Sequence, residues 1–117
     1  MNYLMVFIGG GLGSVLRYLI GLAFQKTNYN LPLSTFLSNL AACILFAVTL
    51  TIVENKTVSS STLKLLVLTG VCGGLSTFST FGYETYLLLK QQNYLWMSIN
   101  IFASVILCMS CFLLIKR

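Results

Sequence analysis

Four apolar runs, each long enough to cross a membrane as a helix, fill nearly the whole of this chain. They are Tyr3–Phe24, Leu31–Val53, Leu63–Leu89 and Tyr94–Ile115. A hydrocarbon core about 30 Å thick asks for roughly 20 such residues. No water reaches the backbone in lipid, so each run must close its own hydrogen bonds as a helix. The connections Gln25–Asn30, Glu54–Thr62 and Lys90–Asn93 are short and polar, which leaves nothing for a soluble domain. The expected fold is an all-α membrane protein, one four-helix transmembrane domain over residues 1–117. Composition agrees, with 57% of the 117 residues hydrophobic and 8% charged, where a soluble domain carries about a quarter charged. No cleavable leader is expected, since the first run lacks a basic n-region and is long enough to span.

The longest run is interrupted at its middle. Gly70-Val71-Cys72-Gly73-Gly74-Leu75-Ser76-Thr77-Phe78-Ser79-Thr80-Phe81 places glycines and hydroxyls where a plain spanning helix would carry leucine. Unpaired backbone groups in hydrocarbon cost several kcal/mol each, so irregular backbone survives only where protein or water satisfies it. A third helix broken near Ser76, at mid-membrane depth, is therefore expected. Breaks of this kind are where ion sites are commonly built. Phe78 and Phe81 are three apart and share a face if the helix resumes after the break. Aromatics at that spacing are usually core, but Ser76, Thr77, Ser79 and Thr80 make a purely apolar face hard to sustain.

Other polar groups lie inside the runs. Asn39, near mid-depth of the second, reads either as interhelical glue or as an amide donor to a dehydrated anion. Arg17 and Glu84 fall at similar depth from the same side, so an ion pair is the economical reading, although Arg17 can also snorkel to the interface. Gly9-x-x-x-Gly13 lets backbones approach closely, either within the chain or across a dimer seam. Ser34, Ser38 and Ala42 repeat every four residues as another small-residue face. Asn100, Ser104 and Cys108 form a stripe on the fourth run that faces either a polar pathway or a neighbouring helix.

The net charge of +5 does not point to nucleic acid, because the basic residues sit at the ends of apolar runs, as interfacial anchors do. Lys56, Lys64, Lys116 and Arg117 fall on one side, and Lys26, Lys90 and a snorkelling Arg17 on the other. So small a bias does not fix orientation. Such a chain can insert both ways, which would allow an antiparallel dimer. The four cysteines all lie within apolar runs. Cys108-x-x-Cys111 looks like half a metal site, but no second pair and no histidine completes it. Small packing residues are the better reading of all four. With two acids and no histidine, nothing suggests an enzyme.

Taken together, Gly9-Gly-Gly-x-Gly13 leading to Arg17-Tyr18, Pro32 followed by Thr35 and Asn39, and Gly73-Gly-x-Ser-Thr-Phe-Ser-Thr-Phe81-x-x-Glu84 resemble the Fluc (CrcB) fluoride channels. The resemblance runs over essentially the entire chain, and the third motif is highly specific. It implies an antiparallel, dual-topology homodimer in the bacterial inner membrane, with two fluoride pores and a structural central Na⁺. It further implies passive export of fluoride that relieves its toxicity. By matching position, Asn39 would hydrogen-bond fluoride, and Phe78 and Phe81 would line the pores. Thr77, Ser79 and Thr80 would begin a polar track, and the Gly73 and Ser76 carbonyls would hold the sodium. Ser76 stands where many members have threonine, and Ser34 and Ala42 where glycine is common, so packing around Asn39 is expected to differ. A different class, the small multidrug exporters, shares the length, the four helices and dual topology. Those exporters use a carboxylate in the first helix, and the first run here has no acid. A purely structural membrane subunit would leave the hydroxyl–phenylalanine break unexplained.

Overall fold

The computed structural model describes residues 1–26, 31–55 and 61–115, and within them every regular element is helical. The first helix is Asn2–Phe24, the second Leu33–Glu54 and the fourth Tyr94–Ile115. The third span, Ser61–Lys90, is assembled from pieces. All four are long and apolar enough to cross a bilayer. The longest dimension, 49 Å, compares with about 40–45 Å for a bilayer with its headgroups. Among the basic anchors, Lys26, Lys64 and Lys90 are exposed; Lys56, Lys116 and Arg117 lie outside the described residues.

Polarity is inverted relative to a soluble bundle. Leu4, Phe7, Leu19, Leu95, Phe102 and Leu113 are exposed, whereas Thr35, Ser38, Thr49, Thr77, Asn100 and Ser104 are buried. Hydrocarbon solvates the leucines, and polar side chains turn inward, where partners other than lipid can be had. Several find one on their own helix: Thr49 and Thr51 donate to the Leu45 and Ala47 carbonyls at 2.7 and 3.0 Å.

Without a hydrophobic drive between helices in lipid, close packing holds them together, and small residues set how close they come. Gly9 and Gly13 lie buried against the third span. A Cβ on Gly9 would meet the Leu66 carbonyl and Gly70 Cα, and one on Gly13 would meet the Val71 carbonyl and Leu75 N. The third span answers with its own Gly70-x-x-x-Gly74, where a Cβ would strike Gly9 and the Gly10 carbonyl. The Gly9-x-x-x-Gly13 motif thus serves packing within the chain.

The third span itself has two arms. The first winds as a short α-turn (Ser61–Leu63), a wider i→i+5 stretch (Lys64–Val71) and a further α-turn (Cys72–Leu75). None of its glycines has positive φ, so they are notches for the first helix rather than the break. The break is Ser76 and Thr77, both extended, at φ −78°, ψ 153° and φ −149°, ψ 122°. The second arm, Phe78–Lys90, then runs to a tight turn into the fourth helix. There Gln92 takes φ 57°, and the Gln92 and Asn93 N–H groups donate to the Leu89 and Leu88 carbonyls, each at 2.9 Å. This pairing satisfies carbonyls that the helix end would otherwise orphan.

Candidate functional site

Two consecutive extended residues at mid-span release backbone groups that a continuous helix would pair. The N–H groups of Thr77 and Thr80 are met by side chains. The Thr77 N–H donates to Asn39 Oδ1 at 2.7 Å, and Asn39 Nδ2 donates back to the Thr77 carbonyl at 3.3 Å. One amide on the second helix thereby stands in for the helical bond that the Thr77 N–H has lost and adds a bond to the Thr77 carbonyl, which as the N-cap carbonyl also opens the second arm. Thr77 also caps the second arm, its Oγ1 accepting from the Thr80 N–H at 3.3 Å, as threonine commonly does at an N-cap. The same hydroxyl donates to Thr80 Oγ1 at 3.1 Å and lies 3.3 Å from Ser79 Oγ. Ser76 folds its hydroxyl back onto the Cys72 carbonyl at 2.9 Å.

Two acceptors are freed by this arrangement. In an unbroken helix the Gly73 carbonyl would pair with the Thr77 N–H, and the Ser76 carbonyl with the Thr80 N–H. Those donors go instead to Asn39 and to the Thr77 hydroxyl. Around Gly73 a Cβ would meet nothing within 4 Å, so its side of the break is open. Carbonyl oxygens at an unwound helix are hard ligands of the kind that hold Na⁺, and the residues present fit such an ion.

Phe78 and Phe81 come together as their spacing predicts, with ring centroids 5.8 Å apart and planes inclined at 34°. Phe78 is 84% exposed, so it is not part of this chain's core. Its ring stands out from the chain beside the break.

A cleft of about 330 Å³ lies between the first three helices, walled by Arg17, Ser34, Thr35, Thr77, Thr80 and Glu84 among others. The Thr35 hydroxyl donates to Glu84 Oε1 at 2.8 Å. Arg17 and Glu84 share this cleft but form no ion pair in it; the one bond to the carboxylate comes from Thr35 on the second helix. Glu84 Oε2 and the hydroxyl of Ser38, itself only 1% exposed, are buried with no hydrogen-bond partner. Buried polar atoms left unpaired in protein are the usual addresses of water or ions. On the fourth helix Asn100 Nδ2 donates to Thr85 Oγ1 at 3.0 Å, whereas the buried Ser104 hydroxyl has no partner.

Sequence reasoning placed Asn39 near the break but missed that it closes it. The need was legible, since the break releases an N–H at mid-depth and Asn39 is the only amide at that depth on the second run. The Thr35–Glu84 bond had no such signal, because it depends on how two helices are rotated.

Fold and site together define a class: small polytopic membrane proteins whose one discontinuous helix opens beside a polar cleft, the arrangement on which ion pathways are built. Within that class the chain belongs to the CrcB family, whose model, described as "CrcB-like protein, Camphor Resistance (CrcB)", matches residues 4–115. A curated relative from Serratia proteamaculans (strain 568), named fluoride-specific ion channel FluC, is 39% identical over 97% of this chain and 93% of its own. One from Yersinia pseudotuberculosis serotype I (strain IP32953), fluoride-specific ion channel FluC 1, is 36% identical over the same shares. One from Cronobacter sakazakii (strain ATCC BAA-894), also named fluoride-specific ion channel FluC, is 41% identical over 84% of this chain and 77% of its own. With bacterial relatives and four spanning helices, the protein is an integral protein of the inner membrane. The bacterial outer membrane is instead crossed by β-barrels.

Proposed function

We propose that this protein is a passive, uncoupled fluoride channel that exports the ion and so relieves its toxicity. The observation that carries the proposal is the two-residue break, clamped by Asn39 and flanked by a phenyl pair of which Phe78 stands exposed and Phe81 half-buried. Curated relatives named for fluoride-specific conduction support the choice of ion.

The conducting unit in this reading is an antiparallel, dual-topology homodimer with two pores. A ring as exposed as Phe78 then meets the partner or the pore instead of lipid. Phenyl edges carry positive quadrupole density, which attracts an anion without holding it fast, and conduction needs sites weak enough to leave. Asn39 uses one N–H on the Thr77 carbonyl, and its amide carries a second for the ion. Thr77, Ser79 and Thr80 continue the polar track, and the cleft that ends at Arg17 serves as an aqueous approach. The Gly73 and Ser76 carbonyls of two facing breaks would offer four neutral oxygens to a structural Na⁺. The Arg17–Glu84 pair has a place here only if the cleft narrows when the dimer forms.

The test is efflux from liposomes holding the purified protein, fluoride against chloride, with and without a pH gradient. Fluoride release that ignores the proton gradient and is not matched by chloride is expected. Release that requires the gradient would favour a coupled exporter.

A further inference from the structure

One hydroxyl in the cleft between the first three helices is buried and unspent. Ser38 lines that cleft, is 1% exposed, and its Oγ has no hydrogen-bond partner. A serine inside a helix commonly turns its hydroxyl back onto the carbonyl four residues earlier, as Ser76 and Ser110 do at 2.9 and 2.7 Å. Ser38 does not, and close packing asks only for its small size. One turn toward the start of the second helix, on the same face, Thr35 gives its proton to Glu84 Oε1. The residue after Ser38 is Asn39, which holds Thr77. Ser38 thus stands between the carboxylate and the break. Glu84 Oε2 is also unpaired, yet Ser38 makes no bond to it. Thr80, on the second arm, borders the same cleft; its Oγ1 accepts from Thr77 Oγ1 at 3.1 Å and so keeps its own proton to give.

We propose, resting on the fluoride reading, that Ser38 is a further fluoride-binding residue, whose hydroxyl takes the ion in the cleft one step before the Asn39 amide. A small anion that sheds water needs a donor for each water lost, and hydrogen bonds to an ion are stronger than those between neutral groups. The Ser38 and Thr80 hydroxyls supply two donors, and Arg17 in the same wall supplies positive charge against that of Glu84. A buried hydroxyl with no partner in the chain costs stability; an ion that visits the cleft gives it one.

The experiment records initial fluoride efflux from liposomes over a range of internal fluoride concentrations, for wild type, Ser38→Ala and Ser38→Cys. Ser38→Ala should raise the half-saturating concentration about tenfold, as loss of one hydrogen bond to an ion does. Thermal unfolding of the purified protein should find it as stable as wild type or more so, because the hydroxyl it deletes is unpaired in the chain. Ser38→Cys, whose S–H is a weak donor, should fall between the two. A hydroxyl that serves packing, or holds only a structural water, gives another pattern: lower stability, with flux reduced in the same proportion at every concentration. That pattern overturns the proposal. So does a Ser38→Ala protein with the wild-type concentration dependence, or a Ser38→Cys protein worse than Ser38→Ala, which would make bulk the cause. Wild-type protein that releases no fluoride would instead overturn the fluoride reading, and the role of Ser38 with it.

Discussion

Asn39 spends both ends of its amide on Thr77, and the clamp has a measurable consequence. Asn39→Ala leaves the Thr77 N–H unpaired in a buried setting and takes one of two bonds from its carbonyl, a loss of about 1–3 kcal/mol. Fluoride flux should fall with it, and thermal unfolding of the purified protein should show the lower stability. An Ala variant of wild-type stability would mean that the break is satisfied elsewhere. The phenyl pair predicts the opposite split. Phe78 is exposed, so Phe78→Ile should change stability by no more than about 0.5 kcal/mol, whereas flux should drop because the positive ring edge is gone. Unchanged flux would remove Phe78 from the pathway. At this scale the sequence was legible where one element decides, as in the Phe78–Phe81 face. It was not legible where two helices must be rotated against each other, as for Glu84, whose partner is Thr35.

Between the first helix and the third span the contact is glycine against glycine. Gly9→Ala, Gly13→Ala and Gly74→Ala each push a methyl into the facing backbone, and backbone cannot swing aside as a side chain can. Loss of folded protein, read as yield and gel-filtration profile, is expected for all three. Gly21→Ala and Gly82→Ala, where a Cβ would meet nothing within 4 Å, should fold normally. Equal tolerance at both sets would contradict the notch. The four spans were readable from hydropathy alone, since lipid leaves a long apolar run one way to satisfy its backbone. The position of the break was readable as well, from the hydroxyls at the middle of the longest run. The expectation near Ser76 held: the chain breaks at Ser76–Thr77, whose hydroxyls pair locally, while the glycines Gly70, Gly73 and Gly74 of the same motif stay helical. The role of Gly9-x-x-x-Gly13 stayed open in the sequence, because close approach within a chain and between chains asks for the same residues.

The whole subunit measures 49 × 32 × 20 Å: it reaches across a bilayer in one direction and is thin in another. Its break opens toward Gly73 and its Phe78 ring stands clear of the fold. An antiparallel partner, related by a two-fold axis in the membrane plane, would meet both at once. Gly73→Ala therefore has a sharp reading. Within the subunit the added methyl touches nothing, so the chain should fold, whereas the facing break of a partner would feel it. Weaker dimerisation with an intact monomer is expected, measured by subunit exchange in detergent; an unaffected dimer would move the seam away from the break. The most direct measurement of the central claim uses orientation. Several basic residues added to one end lock the chain one way round, and added to the other end lock it the other way. Fluoride efflux is then recorded from liposomes made with each locked version alone and with the two co-expressed. No flux is expected from either alone, and restored flux from the pair. Conduction by one locked version on its own would contradict it, and the four-carbonyl sodium site would fall with it.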